Sequence, residues 1–222
     1  MGITTAYQLA CADEKWIQKT FSIMLVRTVL ELRGQKCFEL EDVPEPNKNI
    51  TVSRSFGKEV QTLEHLEQAI SVYVTRAGEK LRGQQQYANV LTVFAGNNRF
   101  GNEKRYYNAC SHIFETATDS SCELVRAAVE LTRKVYMDGV KFKKAGVTLS
   151  KLVGADQVQL NLFSDAGGIA RDKRLMEVMD RLNAREKNIF FGSEGMEKPW
   201  QTKFEHRSGS YTTSWEQLRV VE

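Results

Sequence analysis

Ile50-Thr51-Val52-Ser53-Arg54-Ser55-Phe56-Gly57 is the stretch from which the fold of this 222-residue chain is read. Apolar and small polar residues alternate there, the period-two signature of a strand buried on one face. Thr51, Ser53 and Ser55 share one face; Ile50, Val52 and Arg54 share the other. Gly57 closes the run. Downstream the period lengthens to that of a helix, with Leu63, Leu66, Ile70, Tyr73, Ala77 and Leu81 on one stripe. Thr62 can cap its start and Gly83 can end it. Asn89 to Phe94 returns to strand, and Gly96 to Asn102 reads as a loop. Tyr106 to Phe114 predicts a third strand. Ser120-Ser121-Cys122-Glu123 reads as a capping box, opening a second helix with Leu124, Ala128, Leu131 and Val135 on its stripe. Ala145 to Val153 is a last strand, after the basic run Lys141-Phe142-Lys143-Lys144.

The order strand–helix–strand, strand–helix–strand predicts an α+β domain over residues 50–153. Its expected form is a βαββαβ unit, a four-stranded sheet with two helices on one face. The other face of the sheet is left open, and small polar and basic side chains there can meet a ligand.

Outside this domain the signals are simpler. Ile17, Phe21, Met24, Leu25, Thr28 and Leu32 predict one amphipathic helix stopped at Arg33-Gly34, with Trp16 and Phe21 in its core. Glu39 to Asn47 holds Pro44, Pro46 and four acids, and reads as an extended linker that ends a first unit, residues 1–45. Solvated charge explains those acids better than a magnesium site does. Residues 154–222 form a third region. Gln159-Leu160-Asn161-Leu162-Phe163 is an apolar-rich peptide between polar flanks, and Gly167-Gly168 reads as a linker. A helix carries Leu175, Met176, Met179 and Leu182, and the final thirty residues, with Trp200 and Trp215, read as a tail module that a partner could order.

Composition sets the function classes. Hydrophobic residues make up 41% and charged residues 27%, which excludes global disorder. No apolar run is long enough to span a membrane. The N-terminus lacks the basic-then-apolar layout of a signal peptide, so a cytoplasmic location is expected. The four cysteines (Cys11, Cys37, Cys110, Cys122) are scattered, which reads as reduced thiols and not as a disulfide framework or zinc module. Cys110 and His112 share a strand face but lack a third ligand, so no metal site is expected. No nucleophile–base pair emerges. Residues 51–153 carry fifteen Lys/Arg against ten Asp/Glu, while each flanking segment is net acidic by one charge. A polyanionic partner is the first expectation for the middle segment, although an excess of this size is also found in many soluble domains.

The Thr51-to-Gly57 stretch, with the helix ending Ala77-Gly78-Glu79-Lys80-Leu81-Arg82, resembles the little-finger domain of Y-family DNA polymerases, UmuC branch. The resemblance runs nearly end to end. Residues 1–45 resemble the end of the thumb, and Gly2-Ile3-Thr4-Thr5 the remnant of a helix–hairpin–helix turn. Residues 50–153 resemble the little finger, and Gln159 to Phe163 the sliding-clamp-binding peptide. Leu175 to Asp180 and Tyr211-Thr212-Thr213 resemble the C-terminal extension of that branch.

The resemblance implies contacts to primer-template DNA from the sheet, with Ser53, Arg54, Ser55, Phe56, Gly57, Thr92, Gly96, Asn97, Arg99, Lys104 and Arg105 as candidates. Backbone N–H groups near Ser55-Phe56-Gly57 are further candidate phosphate donors. On spacing alone, the same Ser/Thr alternation also describes the wet face of a sheet. The resemblance further implies a clamp contact through Gln159, Leu160, Asn161, Leu162 and Phe163, for which an amphipathic edge continuing the last strand, or a hydrophobic plug on the domain, is the alternative. It names the bacterial sliding clamp, the UmuD′ dimer and the recombinase filament as partners, in a nucleoid-associated setting of SOS translesion repair. The metal-binding palm carboxylates of such a polymerase find no counterpart. No cofactor and no nucleotidyl transfer are therefore expected of this chain alone, magnesium belonging with the palm. The competing reading is an interaction fragment that occupies the clamp or UmuD′ without using DNA.

Overall fold

The computed structural model describes residues 2–39, 46–98, 104–159, 166–185, 189–202, 208–211 and 213–218. The chain divides into two compact units, residues 1–45 and 46–222.

The first unit holds three short helices, α1 (Ala6–Ala10), α2 (Glu14–Thr20) and α3 (Ile23–Leu32). The single helix expected through Ile17 to Leu32 is two. The chain breaks at Phe21, and Ser22 caps α3 by accepting from the Leu25 N–H. A hydroxyl side chain that satisfies an unpaired amide favours a new start over continuation. Thr5 and Gln8 form a reciprocal capping box on α1. Ile17, Val26 and Val29 are the buried core of this unit. Trp16 and Phe21, expected in that core, are instead exposed at 40% and 50%, with their rings edge-to-face.

The second unit is built on β1 (Asn49–Val60), α4 (Leu63–Gly83), β2 (Gln86–Gly96), β3 (Tyr107–Thr118), α5 (Ser121–Val135) and β4 (Phe142–Gly154). The sheet order is β1-β4-β2-β3, and each neighbouring pair is antiparallel. This is the α+β arrangement expected: each helix crosses between parallel strands that have a third strand inserted between them.

The register separates the faces. Ile50, Leu149 and Leu91 lie in one cross-strand row, and Val52, Val147 and Val93 in the next. All six are buried. The α4 stripe from Leu66 to Leu81 and the α5 stripe from Leu124 to Val135 pack on these rows. Each Å² of apolar surface removed from water in this layer stabilises the unit by about 25 cal/mol.

Two local expectations are corrected. Ser120 makes no side-chain cap for α5. Its hydroxyl is turned instead toward the next helix, where it donates to Asp172 Oδ2 at 3.0 Å. That helix, α6 (Ala166–Arg185), begins before Gly167 and Gly168, the residues read as a linker. The cost of two helical glycines, about 1 kcal/mol each, is offset by anchors further along. Arg82 grips Asp180 in a bidentate pair (2.6 and 2.7 Å), and its remaining nitrogen donates to the Asp119 carbonyl and the Ser121 hydroxyl. Met176 is buried.

Trp200 sits in the main core, edge-to-face with Phe56 at 6.1 Å and with Tyr73 at 6.0 Å. Trp215 is 90% exposed.

Candidate nucleic-acid interface

The open face of the sheet is assembled from the residues that alternate with the core rows. Thr51 pairs with Thr148, Thr148 with Thr92, and Thr92 with Ser111, so one row of hydroxyls crosses all four strands. Thr51 and Thr148 share a hydrogen bond of 2.9 Å, and Thr92 and Ser111 one of 2.8 Å. Directly opposed side chains on one face stand close enough for such bonds. Each hydroxyl keeps further lone pairs or its proton for a ligand.

The next row toward the β2–β3 connection is Ser53, Gly146, Phe94 and Ala109; the following one is Ser55, Lys144, Gly96 and Tyr107. The Phe94 ring reaches over Gly146, where a Cβ would lie 2.6 Å from it. Tyr107 lies against Gly96 and is tilted on Phe94, with 6.2 Å between centroids. Lys144 is exposed on this face, and Lys104 and Arg105 are exposed in the segment that leads into β3. The result is a hydroxyl-bearing surface with one lysine on it and two further exposed cations where the chain leads into β3.

The predicted site residues divide. Ser53, Ser55, Thr92 and Gly96 lie on the open face, and Lys104 and Arg105 are exposed in the segment before β3. Arg54 does not join them. It shares the covered-face parity of Val52, is exposed at the edge of β1, and donates from Nη1 to the Ser53 carbonyl at 3.1 Å. On that side it faces Tyr73, whose phenol burial pushes up to about 12 against the opposing pull of the Arg54 and Arg76 charges.

Phe56 is a core residue at 2% exposure, not an interface residue. Its parity with Ile50 and Val52 carries it under the helices. The Gly57 N–H is not open to a phosphate, because it donates to the Trp200 carbonyl at 3.2 Å. The Thr202 hydroxyl donates to the Ser55 carbonyl at 2.9 Å, so residues 200–202 run along the outer edge of β1. A Cβ at Gly57 would stand 2.5 Å from the Gln201 oxygen, which is why glycine sits under this strap.

Asn97 is buried and closes a turn. Its Nδ2 donates to the Lys104 carbonyl at 2.8 Å, and its Oδ1 accepts from the Tyr106 N–H at 2.9 Å. Arg99 lies outside the described residues, as do Leu160, Asn161, Leu162 and Phe163. Gln159 is exposed, two residues past a 3-10 turn (Ala155–Gln157) that follows β4.

Sequence reasoning put Thr51 on this face beside Ser53 and Ser55 without naming it a site residue, and missed Thr148, Ser111, Lys144 and Tyr107 as members of the surface. The signal was available: Ala145, Val147 and Leu149 are apolar, so Lys144 and Thr148 must face the other way.

A cleft of about 1160 Å³ lies on the helix side, lined by α4 and α6. Burial pushes Glu79 and Asp119 upward there, and nearby Asp180 adds to both shifts. It does not touch the hydroxyl rows. No cluster of three or more His, Cys, Asp or Glu side chains able to hold a metal ion occurs among the described residues. None of the described helices is long and apolar enough to cross a membrane.

Residues 47–162 match the impB/mucB/samB family C-terminal domain, and residues 173–221 match a domain of unknown function. Protein SamB of Salmonella typhimurium is 39% identical over 224 residues, Protein MucB of Escherichia coli 38% over 223, and Protein UmuC of Salmonella typhimurium strain LT2 39% over 225. Each alignment covers 100% of this chain and 53% of the relative, so the chain spans about half the length of the curated relatives it matches. Among solved structures, the chain is similar to an insertion ternary complex of Dbh DNA polymerase (TM-score 0.41, 12% identity, 69% of this chain and 42% of that one). It is also similar to DinB from Sulfolobus solfataricus (TM-score 0.39, 15% identity, 67% and 41%).

Proposed function

This chain belongs to the impB/mucB/samB family, and from that premise we propose that its open sheet face holds the sugar–phosphate backbone of primer-template DNA. One observation carries the reading: a row of four hydroxyls crosses the sheet in register, Lys144 stands exposed on the same face, and Lys104 and Arg105 are exposed where the chain leads into β3. Hydroxyls and cations are the groups that bind phosphate and sugar. They position a protein on nucleic acid without reading sequence. A polymerase that must traverse many sequences needs that kind of grip.

In the whole enzyme this unit acts as the little finger of an error-prone translesion polymerase of the SOS response. Gln159 to Phe163 tether it to the sliding clamp, and the C-terminal region binds the UmuD′ dimer and the recombinase filament. The exposed position of Gln159, just past the folded sheet, supports a peptide available to a pocket on a partner. Weak phosphate contacts and a clamp tether combine through local concentration. The chemistry of nucleotide transfer belongs to a palm. This chain contributes grip and placement, in a nucleoid-associated, cytoplasmic setting.

The test is the double reversal Lys144→Glu with Arg105→Glu in the full chain, assayed for primer-template and for clamp binding. DNA affinity is expected to fall about tenfold or more at moderate salt while clamp affinity stays. Unchanged DNA affinity contradicts the proposal and favours the interaction fragment that competes for the clamp or UmuD′.

A further inference from the structure

A surface that only grips a duplex backbone needs hydroxyls and cations. It has no use for an exposed aromatic ring, yet Tyr107 stands on the open face with 62% of its surface in solvent. The ring is held in place. Its strand neighbour is Gly96, where a Cβ would lie 3.2 Å from Tyr107 Cδ2, and Phe94 supports it from the adjacent row at a tilt of 32°. Gly146 does the same for Phe94. Two glycines in the two central strands thus let two rings lean over the sheet, with the outer one turned to water.

The cations are placed to serve a nucleotide on that ring. Lys144 is the partner of Gly96 on the side opposite Tyr107. The two side chains are therefore two strand spacings apart, roughly 10 Å, with only the hydrogen of a glycine between them. Lys104 and Arg105 immediately precede the strand that carries the tyrosine.

We infer that Tyr107, backed by Phe94, is a stacking platform for an unpaired base of single-stranded nucleic acid, with Lys144, Lys104 and Arg105 holding the flanking phosphates. The inference rests on the DNA-binding reading above and narrows it: the sheet takes the junction where duplex gives way to single-stranded template. A base paired within a duplex hides its π-face between its neighbours. An unpaired one offers it, and aromatic rings on an open sheet flanked by basic residues bind single strands in this way. The hydroxyl row then lies under the adjoining backbone.

The experiment compares two labelled DNAs with the same number of base pairs, one blunt and one carrying a single-stranded 5′ overhang. Binding is measured by anisotropy with the full chain. The wild type is expected to prefer the overhang. Tyr107→Ala should lose about tenfold on the overhang DNA and stay within about twofold on the blunt duplex. Tyr107→Phe should keep wild-type binding on both. A 5-iodouracil in the overhang should crosslink to Tyr107 on irradiation.

Equal loss by Tyr107→Ala on both DNAs, or no loss on either, overturns the stacking role. If the wild type binds both DNAs alike and Tyr107→Ala changes neither, the backbone grip stands and the platform falls. If the wild type binds neither DNA at low salt, both fall together. Tyr107 is an edge-strand residue with most of its surface in water, so an unchanged thermal midpoint of the alanine variant separates lost contact from lost fold.

Discussion

Gly146→Ala tests the geometry of the open face most sharply. The added carbon would stand 2.4 Å from Ser53 Cβ, 2.6 Å from Phe94 Cζ and 2.9 Å from Ser53 Cα. Non-bonded carbons settle at about 3.5–4.0 Å, so every contact is short by roughly 0.6–1.5 Å. The Phe94 ring can swing aside. Ser53 Cα cannot, because it is the backbone of β1 paired directly with residue 146. Relief therefore means opening the β1–β4 pairing, at a cost of about 1–3 kcal/mol for overpacking. Alanine recovers up to about 1 kcal/mol by reducing the freedom of the unfolded chain. The net loss is about 1–2 kcal/mol. With a urea slope of about 2 kcal/mol per molar, the midpoint followed by far-ultraviolet circular dichroism should fall by about 0.5–1 M. Gly83→Ala is the control. Nothing lies within 4 Å of a Cβ there and no left-handed φ is required, so the variant should match or slightly exceed the wild type. If Gly146→Ala melts with the wild type, the packing of Phe94 and Ser53 over this glycine is not as described.

Two further outcomes follow from the core. Trp200→Ala removes a buried ring shared by Phe56 and Tyr73 and should cost about 3–5 kcal/mol, read as a lowered thermal midpoint, with Trp200→Phe retaining most of the stability; an unchanged alanine variant would show that the strap over β1 is not anchored there. The Tyr73 phenol is held near 12 by burial, against about 10 in an unfolded chain. A raised folded pKa means that the stabilising preference for the neutral phenol is complete below about pH 10 and is lost as pH climbs toward 12. Tyr73→Phe should therefore lose less stability than the wild type across that window, and parallel loss in the two proteins would remove Tyr73 from the account.

The layered fold was legible because period-two and helical stripes are properties of the chain itself. Ile50 and Val52 announce the covered face of β1, and the stripe Leu66 to Leu81 announces α4. Parity carried further than it was pressed: it places Phe56 with Ile50 and Val52 in the core, and Lys144 and Thr148 on the open face. What the sequence could not disclose depends on partners distant along the chain. The Gly57 N–H is taken by Trp200, 143 residues on, and the Ser55 carbonyl by Thr202, at a separation of 147. The Ser120 hydroxyl donates to Asp172, 52 residues away. Asn97 looked like a polar loop residue, but it folds back to close its own turn onto Lys104 and Tyr106. Arg54 has the alternation of a core residue yet is exposed, its guanidinium donating to the Ser53 carbonyl.

The central claim is that the open face neutralises phosphates. It is tested most directly by the affinity of the full chain for primer-template DNA, measured over a series of monovalent salt concentrations. Three cations, Lys144, Lys104 and Arg105, should give a slope of log affinity against log salt of about −2.7, at roughly 0.9 per phosphate neutralised. The Lys144→Glu and Arg105→Glu protein should show a slope shallower by about 2. A wild-type slope near zero, or no binding at low salt, would contradict the account.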